Sequence, residues 1–411
     1  MKQKRYTHYL SPVWAVAIWM LSSCNNQLDD MQEAVSPYIK FGVQTLSVES
    51  RLADSDNGMR NEFKEGDSFG VFGYCVPTKI GESTPDYAAG SSVWTAKVSN
   101  AVPDVFFNQK VTLKADGSWQ YNWSDPASDI YKPKYWYANG RDTEGTSVEA
   151  ITNAQNYRYD FYAYYPYGAN VFTWLKPTSN GDKGAPKVTV CIPQEGGDSM
   201  DPSATPDAML SVLHNYQQKI NSELSFSFNH VFTALGFEVN NFSERKLRIH
   251  SIKMTGEFWK SLDVDFRTGS YTYNEDDTYT GTYVIFDETT DGDAIILEAP
   301  GENQSATTAP SPVGGEYLRL LPGGFDGKEN YLGPIPADES KVIKLIIDYT
   351  FGTEHKTAKF SRPATFLPQS GTQYTSQLNF VGNAFVLQFV VDNSENWEDG
   401  ESDNEGDITF E

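Results

Sequence analysis

Tyr38-Ile39-Lys40-Phe41-Gly42-Val43-Gln44-Thr45-Leu46-Ser47-Val48-Glu49 sets Ile39, Phe41 and Val43 at alternate positions, and Leu46 and Val48 extend the apolar content. Period two is the spacing of a strand, so residues 38–49 are predicted to form one. The pattern recurs along the chain. Leu224, Phe226 and Phe228 alternate with Ser225 and Ser227 into His230, Leu235, Phe237 and Val239 form another strand, and Val188, Val190 and Ile192 alternate up to Pro193. Phe161-Tyr162-Ala163-Tyr164-Tyr165 reads as an aromatic strand stopped by Pro166. In the second half, strand-like runs at 247–254, 270–273, 283–286, 294–297, 317–321, 341–349, 357–360 and 384–391 are separated by turn residues, the spacing of β-sandwiches. No segment keeps apolar residues at i, i+3, i+4 and i+7 over a helix length. The expected fold class is all-β.

The chain has 411 residues, enough for two or three domains. Its 55 Asp and Glu outweigh 32 Lys and Arg to give a net charge of −23, which repels phosphate backbones and argues against a nucleic-acid partner. The 24 Tyr, 24 Phe and 9 Trp are too many for a disordered acidic chain and suit half-buried pleated surfaces. From Gln194 to Pro206 the sequence is rich in Gly, Ser, Asp and Pro, a candidate long connection. A domain boundary is therefore expected near residue 215, dividing the chain into 38–215 and 216–411.

Lys2, Lys4 and Arg5 precede the apolar run Leu10 to Leu21, which has the length of an export signal and is too short to span a bilayer. The run ends in Leu21-Ser22-Ser23-Cys24, which resembles a bacterial lipobox. That resemblance implies removal of residues 1–23, acylation of Cys24 and a polar tether over 24–37. Several acyl chains together hold a protein on a membrane effectively for good.

Motifs for metal or cofactor chemistry are absent. No Cys-x-x-Cys, His-Glu-x-x-His or phosphate-binding loop occurs, so neither a metal nor another cofactor is expected. His214, His230, His250 and His355 are scattered without ligand spacing and are expected to be packed or surface histidines. Asp287 to Asp293 with Glu298 fits a calcium-loop pattern except for Thr289 at its third position, but strand-like flanks point to an acidic hairpin turn instead. Cys75 and Cys191 are expected to be buried free thiols.

Phe63-Lys64-Glu65-Gly66-Asp67-Ser68-Phe69-Gly70-Val71-Phe72, Phe161 to Pro166, Leu224 to His230 and Ala234-Leu235-Gly236-Phe237, with the lipobox before them, are together similar to the fimbrillin family, lipoprotein pilins of Bacteroidales. The resemblance implies two transthyretin-like β-sandwiches in tandem and a structural subunit without enzymatic activity. It also implies an outer-membrane lipid anchor, cleavage by an Arg-specific protease, and polymerisation with other fimbrial subunits by donor-strand exchange. On this reading Ile39, Phe41, Val43, Leu46 and Val48 form the strand to be released. Arg51 is the favoured cut, with Arg60 the alternative. The donor strand comes from Phe385, Leu387 and Phe389 or from Asp407-Ile408-Thr409-Phe410, although the acidic stretch Asp392 to Asp407 departs from a groove-filling strand. A different class, a surface glycan-binding lipoprotein stacking sugars on exposed Trp and Tyr, fits the composition and export route equally.

Overall fold

A computed structural model describes residues 38–44, 59–60, 62–77, 96, 98–136, 144, 157–195, 199–200, 204–217, 223–273, 276–322, 332–334, 338–361 and 368–391. In chain order the strands are β1 (Phe41–Val43), β2 (Ser68–Pro77), β3 (Phe106–Leu113), β4 (Trp119–Gln120), β5 (Tyr157–Tyr165), β6 (Phe172–Lys176), β7 (Lys187–Cys191), β8 (Gln194–Glu195) and β9 (Ser199–Met200). They continue with β10 (Met209–Gln217), β11 (Leu224–Phe226), β12 (Asn229–His230), β13 (Thr233–Asn241), β14 (Leu247–Trp259), β15 (Ser261–Asp265), β16 (Ser270–Tyr273), β17 (Thr278–Asp287) and β18 (Ile295–Leu297). The last are β19 (Thr307–Thr308), β20 (Leu318–Leu320), β21 (Lys344–Phe351), β22 (Glu354–Ser361), β23 (Gln373–Val381) and β24 (Ala384–Val391). The fold class is all-β, as the alternating pattern predicts.

The largest sheet has the order β11-β1-β4-β3-β2-β5-β10-β12. Its two end strands, β11 and β12, are separated in sequence only by Ser227 and Phe228, so the sheet curls until its ends meet. Inside the curl lies a core drawn from one face of its strands, including Phe69, Val71, Phe106, Val111, Tyr159, Phe161, Leu224 and Phe226. On the opposite face, Phe72, Tyr74, Tyr162 and Tyr164 pack with Val188 and Val190 of a four-stranded sheet, β16-β15-β7-β6. β5 is thus buried on both sides, which explains the unbroken apolar and aromatic run from Phe161 to Tyr165. Its tyrosine hydroxyls find partners: Tyr162 donates to Asp160 (2.8 Å), Tyr164 to Asn108 (2.6 Å) and Tyr165 to Asp67 (3.0 Å).

Two further sheets, β19-β13-β23-β24 with β20 on β13, and β17-β14-β21-β22 with β18 on β14, enclose the remaining core. Leu235, Phe237 and Val239 face Ile252, Met254, Leu345 and Ile347 there. The expected boundary near residue 215 falls within β10, and the curled sheet keeps recruiting strands up to His230. β15 and β16 cross the other way: only Lys260 separates β14 from β15, which pairs with β7. Sheet membership therefore does not divide at one point in the chain.

The acidic segment 287–293 is not a hairpin turn. β17 and β18 both pair antiparallel with β14, at Trp259 to Ser251 and at Ile249 to Leu247, so the segment interrupts one continuous edge. Asp287 accepts from the Thr289 N–H (3.0 Å) and pairs with Lys253 (2.7 Å), which holds the excursion in place.

Gly236 lies mid-strand in β13, where a Cβ would stand 2.5 Å from Cε1 of the buried Tyr317 ring. Gly236→Ala is expected to lower stability by about 1–3 kcal/mol through overpacking, measured by urea denaturation.

Candidate functional site

The site is the groove that β1 fills. Phe41 pairs antiparallel with Trp119 of β4 on one side and parallel with Leu224 of β11 on the other, and Val43 pairs with Phe226. The Ile39 N–H donates to Lys134 O (2.9 Å), the Leu224 N–H to Lys40 O (2.8 Å) and the Gln44 N–H to Phe226 O (2.9 Å). Tyr121 Oη donates to Ile39 O (2.8 Å) and accepts from the Lys134 N–H (3.0 Å). Burial pushes the Tyr121 phenol well up, so it stays protonated and keeps donating.

The side chains are held as closely as the main chain. Ile39 is 0% and Phe41 2% exposed. The Phe41 ring stacks on Phe226 (5.8 Å between centroids), meets Phe69 (5.8 Å) and Tyr121 (5.3 Å) edge-on, and lies 5.5 Å from Phe106. Aromatic pairs in these geometries contribute beyond their buried area. Withdrawing β1 would expose this wall of rings together with the facing edges of β4 and β11, a template for another strand.

Beyond residue 44 the chain is next described at Met59 and Arg60, where it is pinned. Met59 is buried against Ala234 and Tyr317, and its N–H donates to Gln373 Oε1 (3.1 Å). The Arg60 N–H donates to Asp207 Oδ2 (2.8 Å), its guanidinium pairs with Asp67, and it lies over the Tyr165 ring (5.5 Å). Asp207 also bonds His230 Nδ1 (2.9 Å), and both side chains are buried. Burial alone would raise the Asp207 pKa, but His230, Arg319 and the Arg60 N–H outweigh it and hold the carboxyl below its usual range.

Of the residues expected to act, Ile39, Phe41 and Val43 come together in the groove, Val43 only partly buried. Cys24, Arg51, Leu46 and Val48 lie outside the described residues. Arg60 is in the pinned segment. Phe385 and Leu387 are buried and Phe389 partly so, in β24, which pairs along its whole length with β23 and is the last strand of its sheet among the described residues. Asp407 to Phe410 lie outside the described residues. Cys75 and Cys191 are free thiols; Cys75 is buried, whereas Cys191, expected to be buried, is only partly so because it ends β7 near the surface. No three His, Cys, Asp or Glu side chains among the described residues are placed to hold a metal. Among the described aromatic residues, Trp119, Trp136 and Trp259 are buried, Trp123 and Trp174 are partly buried, and Tyr131 is exposed.

Sequence reasoning did not find the groove wall or the pinned segment. Trp119 and Tyr121 stand in the Tyr- and Trp-rich stretch 119–137, whose density was the available signal. Asp67 was visible as a Gly-Asp turn, but its link to Arg60 was not. Met59, Asp207 and Gln373 carry no local signature.

Residues 134–393 match the family described as fimbrillin-like, and the chain belongs to that family. No curated protein matches it in sequence. Solved structures similar to it include a candidate cell adhesion protein from Bacteroides uniformis, at 12% identity over 86% of this chain and 98% of that one, with a TM-score of 0.40. A second, from Bacteroides ovatus, has 13% identity over 81% and 92% with a TM-score of 0.36. The family places the chain among fimbrial proteins of the cell surface.

Phe41→Ala should cost about 3–5 kcal/mol in urea denaturation, against under ~1 kcal/mol for Phe107→Ala at the surface. Because the Asp207 pKa is depressed on folding, its contribution is complete above the unfolded value of ~3.9 and is lost as pH falls through the lower folded value. Asp207→Asn should therefore be less stable at pH 7, and its stability should fall less steeply with acid below about pH 4, read from unfolding curves across pH.

Proposed function

We propose that this chain is a structural pilin subunit of cell-surface fimbriae that supports adhesion. It is exported as a lipoprotein acylated at Cys24, cut by an Arg-specific protease after Arg51, and assembled by replacement of its N-terminal strand. The observation that carries this reading is the position of β1. It is a three-residue strand in the interior of a sheet, with Phe41 enclosed by aromatic rings, and a linker containing Arg51 follows it.

Burying Ile39 and Phe41 is worth roughly 1.5–3 kcal/mol each, and each main-chain hydrogen bond adds about 0.5–1.5 kcal/mol net. A covalently attached strand keeps that contribution intramolecularly. Once the linker is cut, the same contacts must compete against a strand from another subunit at its local concentration. A head-to-tail exchange does not close on itself and so builds a filament.

The donor is better sought in Asp407-Ile408-Thr409-Phe410 than in β24. Withdrawing β24 would strip Phe385 and Leu387 from their own core and leave one edge of β23 unpaired. Domain limits follow the same reading: a lipoprotein signal over 1–23, a tether over 24–37, and two sandwich units whose strands interlock through β15 and β16.

Treating the purified chain with an Arg-specific protease should create a new N-terminus at Leu52 and, with time, a ladder of oligomers on non-denaturing gels. Arg51→Ala should block both. An intact N-terminus, or cleavage without any oligomer, contradicts the proposal.

A further inference from the structure

The segment joining β1 to β2 offers two arginines, and we infer that the fold itself chooses between them. A clasp of Asp67, Tyr165, Asp207 and Gln373 shields Arg60 from Arg-specific cleavage and leaves Arg51 as the scissile arginine. This rests on the processing step proposed above, and it names the residues that set its specificity.

An endoprotease needs three things from its substrate. The arginine side chain must enter a pocket, the main chain on either side must be free to pair with the enzyme in an extended conformation, and the preceding residue must be accessible. At Arg60 all three are engaged. The guanidinium is held by Asp67 and lies over Tyr165, and Asp67 is itself fixed by the Tyr165 hydroxyl (3.0 Å) and the Lys64 N–H (2.7 Å). The Arg60 N–H is committed to the buried Asp207, which His230 holds from its other oxygen. Met59, the residue before the bond, is 6% exposed, and its N–H is bound by Gln373.

The clasp also joins distant parts of the fold. Asp67 borders β2, Asp207 precedes β10, and Gln373 opens β23 in the other sandwich. A cut after Arg51 would leave the new N-terminal stub anchored at Met59 and free only the part that carries β1. A cut after Arg60 would demand that the clasp open first, and cleavage then follows the small open fraction.

The test uses the full chain with Asp67→Asn, which keeps one acceptor oxygen but replaces the other with an amide donor and removes the charge facing Arg60, and separately Gln373→Ala. Each is exposed to an Arg-specific endoprotease at neutral pH, and the N-termini beginning at Leu52 and at Asn61 are quantified by mass spectrometry over time. Far-ultraviolet circular dichroism before proteolysis checks that both variants are folded. The expected result is negligible Asn61 product from the unaltered chain and about a tenfold rise in its rate of appearance in each folded variant, the effect of removing one charge-assisted or buried hydrogen bond from the closed state. Leu52 formation should be unchanged. Cleavage after Arg60 in the unaltered chain as fast as after Arg51, or variants that leave Arg60 as resistant as before, would overturn the inference. Failure to cut at Arg51 in any chain would count against the processing step instead, and the comparison at Arg60 would still decide the clasp.

Discussion

The curled sheet depends on the seating of one aromatic side chain. Phe41 sits where the curled sheet has a gap between β4 and β11, and it is the only ring that β1 contributes to a core otherwise built by strands that follow it in the chain. Rings from β2, β3 and β11, together with Tyr121, converge on it, so the interior is shaped around a side chain delivered by a very short strand. A strand of three residues makes few ladder bonds. Its hold comes instead from enclosed apolar surface, and that hold can be transferred to any strand presenting a similar side chain at the same place.

Two kinds of attachment flank the linker that follows. On the β1 side the contacts are enclosed apolar side chains and main-chain hydrogen bonds. On the Met59 side they are hydrogen bonds and an ion pair to Gln373, Asp207 and Asp67, which are specific to this segment. This asymmetry suits a chain in which one side of the linker leaves and the other stays. β14 and β15 belong to different sheets and are separated by a single residue, so main-chain hydrogen bonding runs almost without interruption from one sheet into the other.

Much of the fold was legible because half-buried strands write their burial into alternate residues. Ile39 and Phe41, Val188 and Val190, and Leu224 and Phe226 were all read that way and are all buried. β23 escaped because polar side chains, Gln373, Thr375 and Ser376, occupy buried positions where the alternating pattern calls for apolar ones. The parallel pairing of Phe41 with Leu224 was equally invisible, since partners in a parallel ladder are set by the three-dimensional path and not by a turn between them. Residues 287–293 misled for a related reason. Two strand-like runs around a polar turn look the same whether they pair with each other or lie end to end along a third strand. Of the candidate site, the plug was legible and its socket was not, because the socket is assembled from residues far apart in sequence.

The most direct test of the central claim is a structure of the chain after removal of everything up to Arg51, in its assembled form. The account predicts that the gap between β4 and β11 is filled by a strand from a neighbouring copy, with a large apolar side chain in the place of Phe41 against Phe69, Phe106, Tyr121 and Phe226. A sheet that has closed directly between β4 and β11, or assembled subunits joined elsewhere with the gap empty, would contradict it.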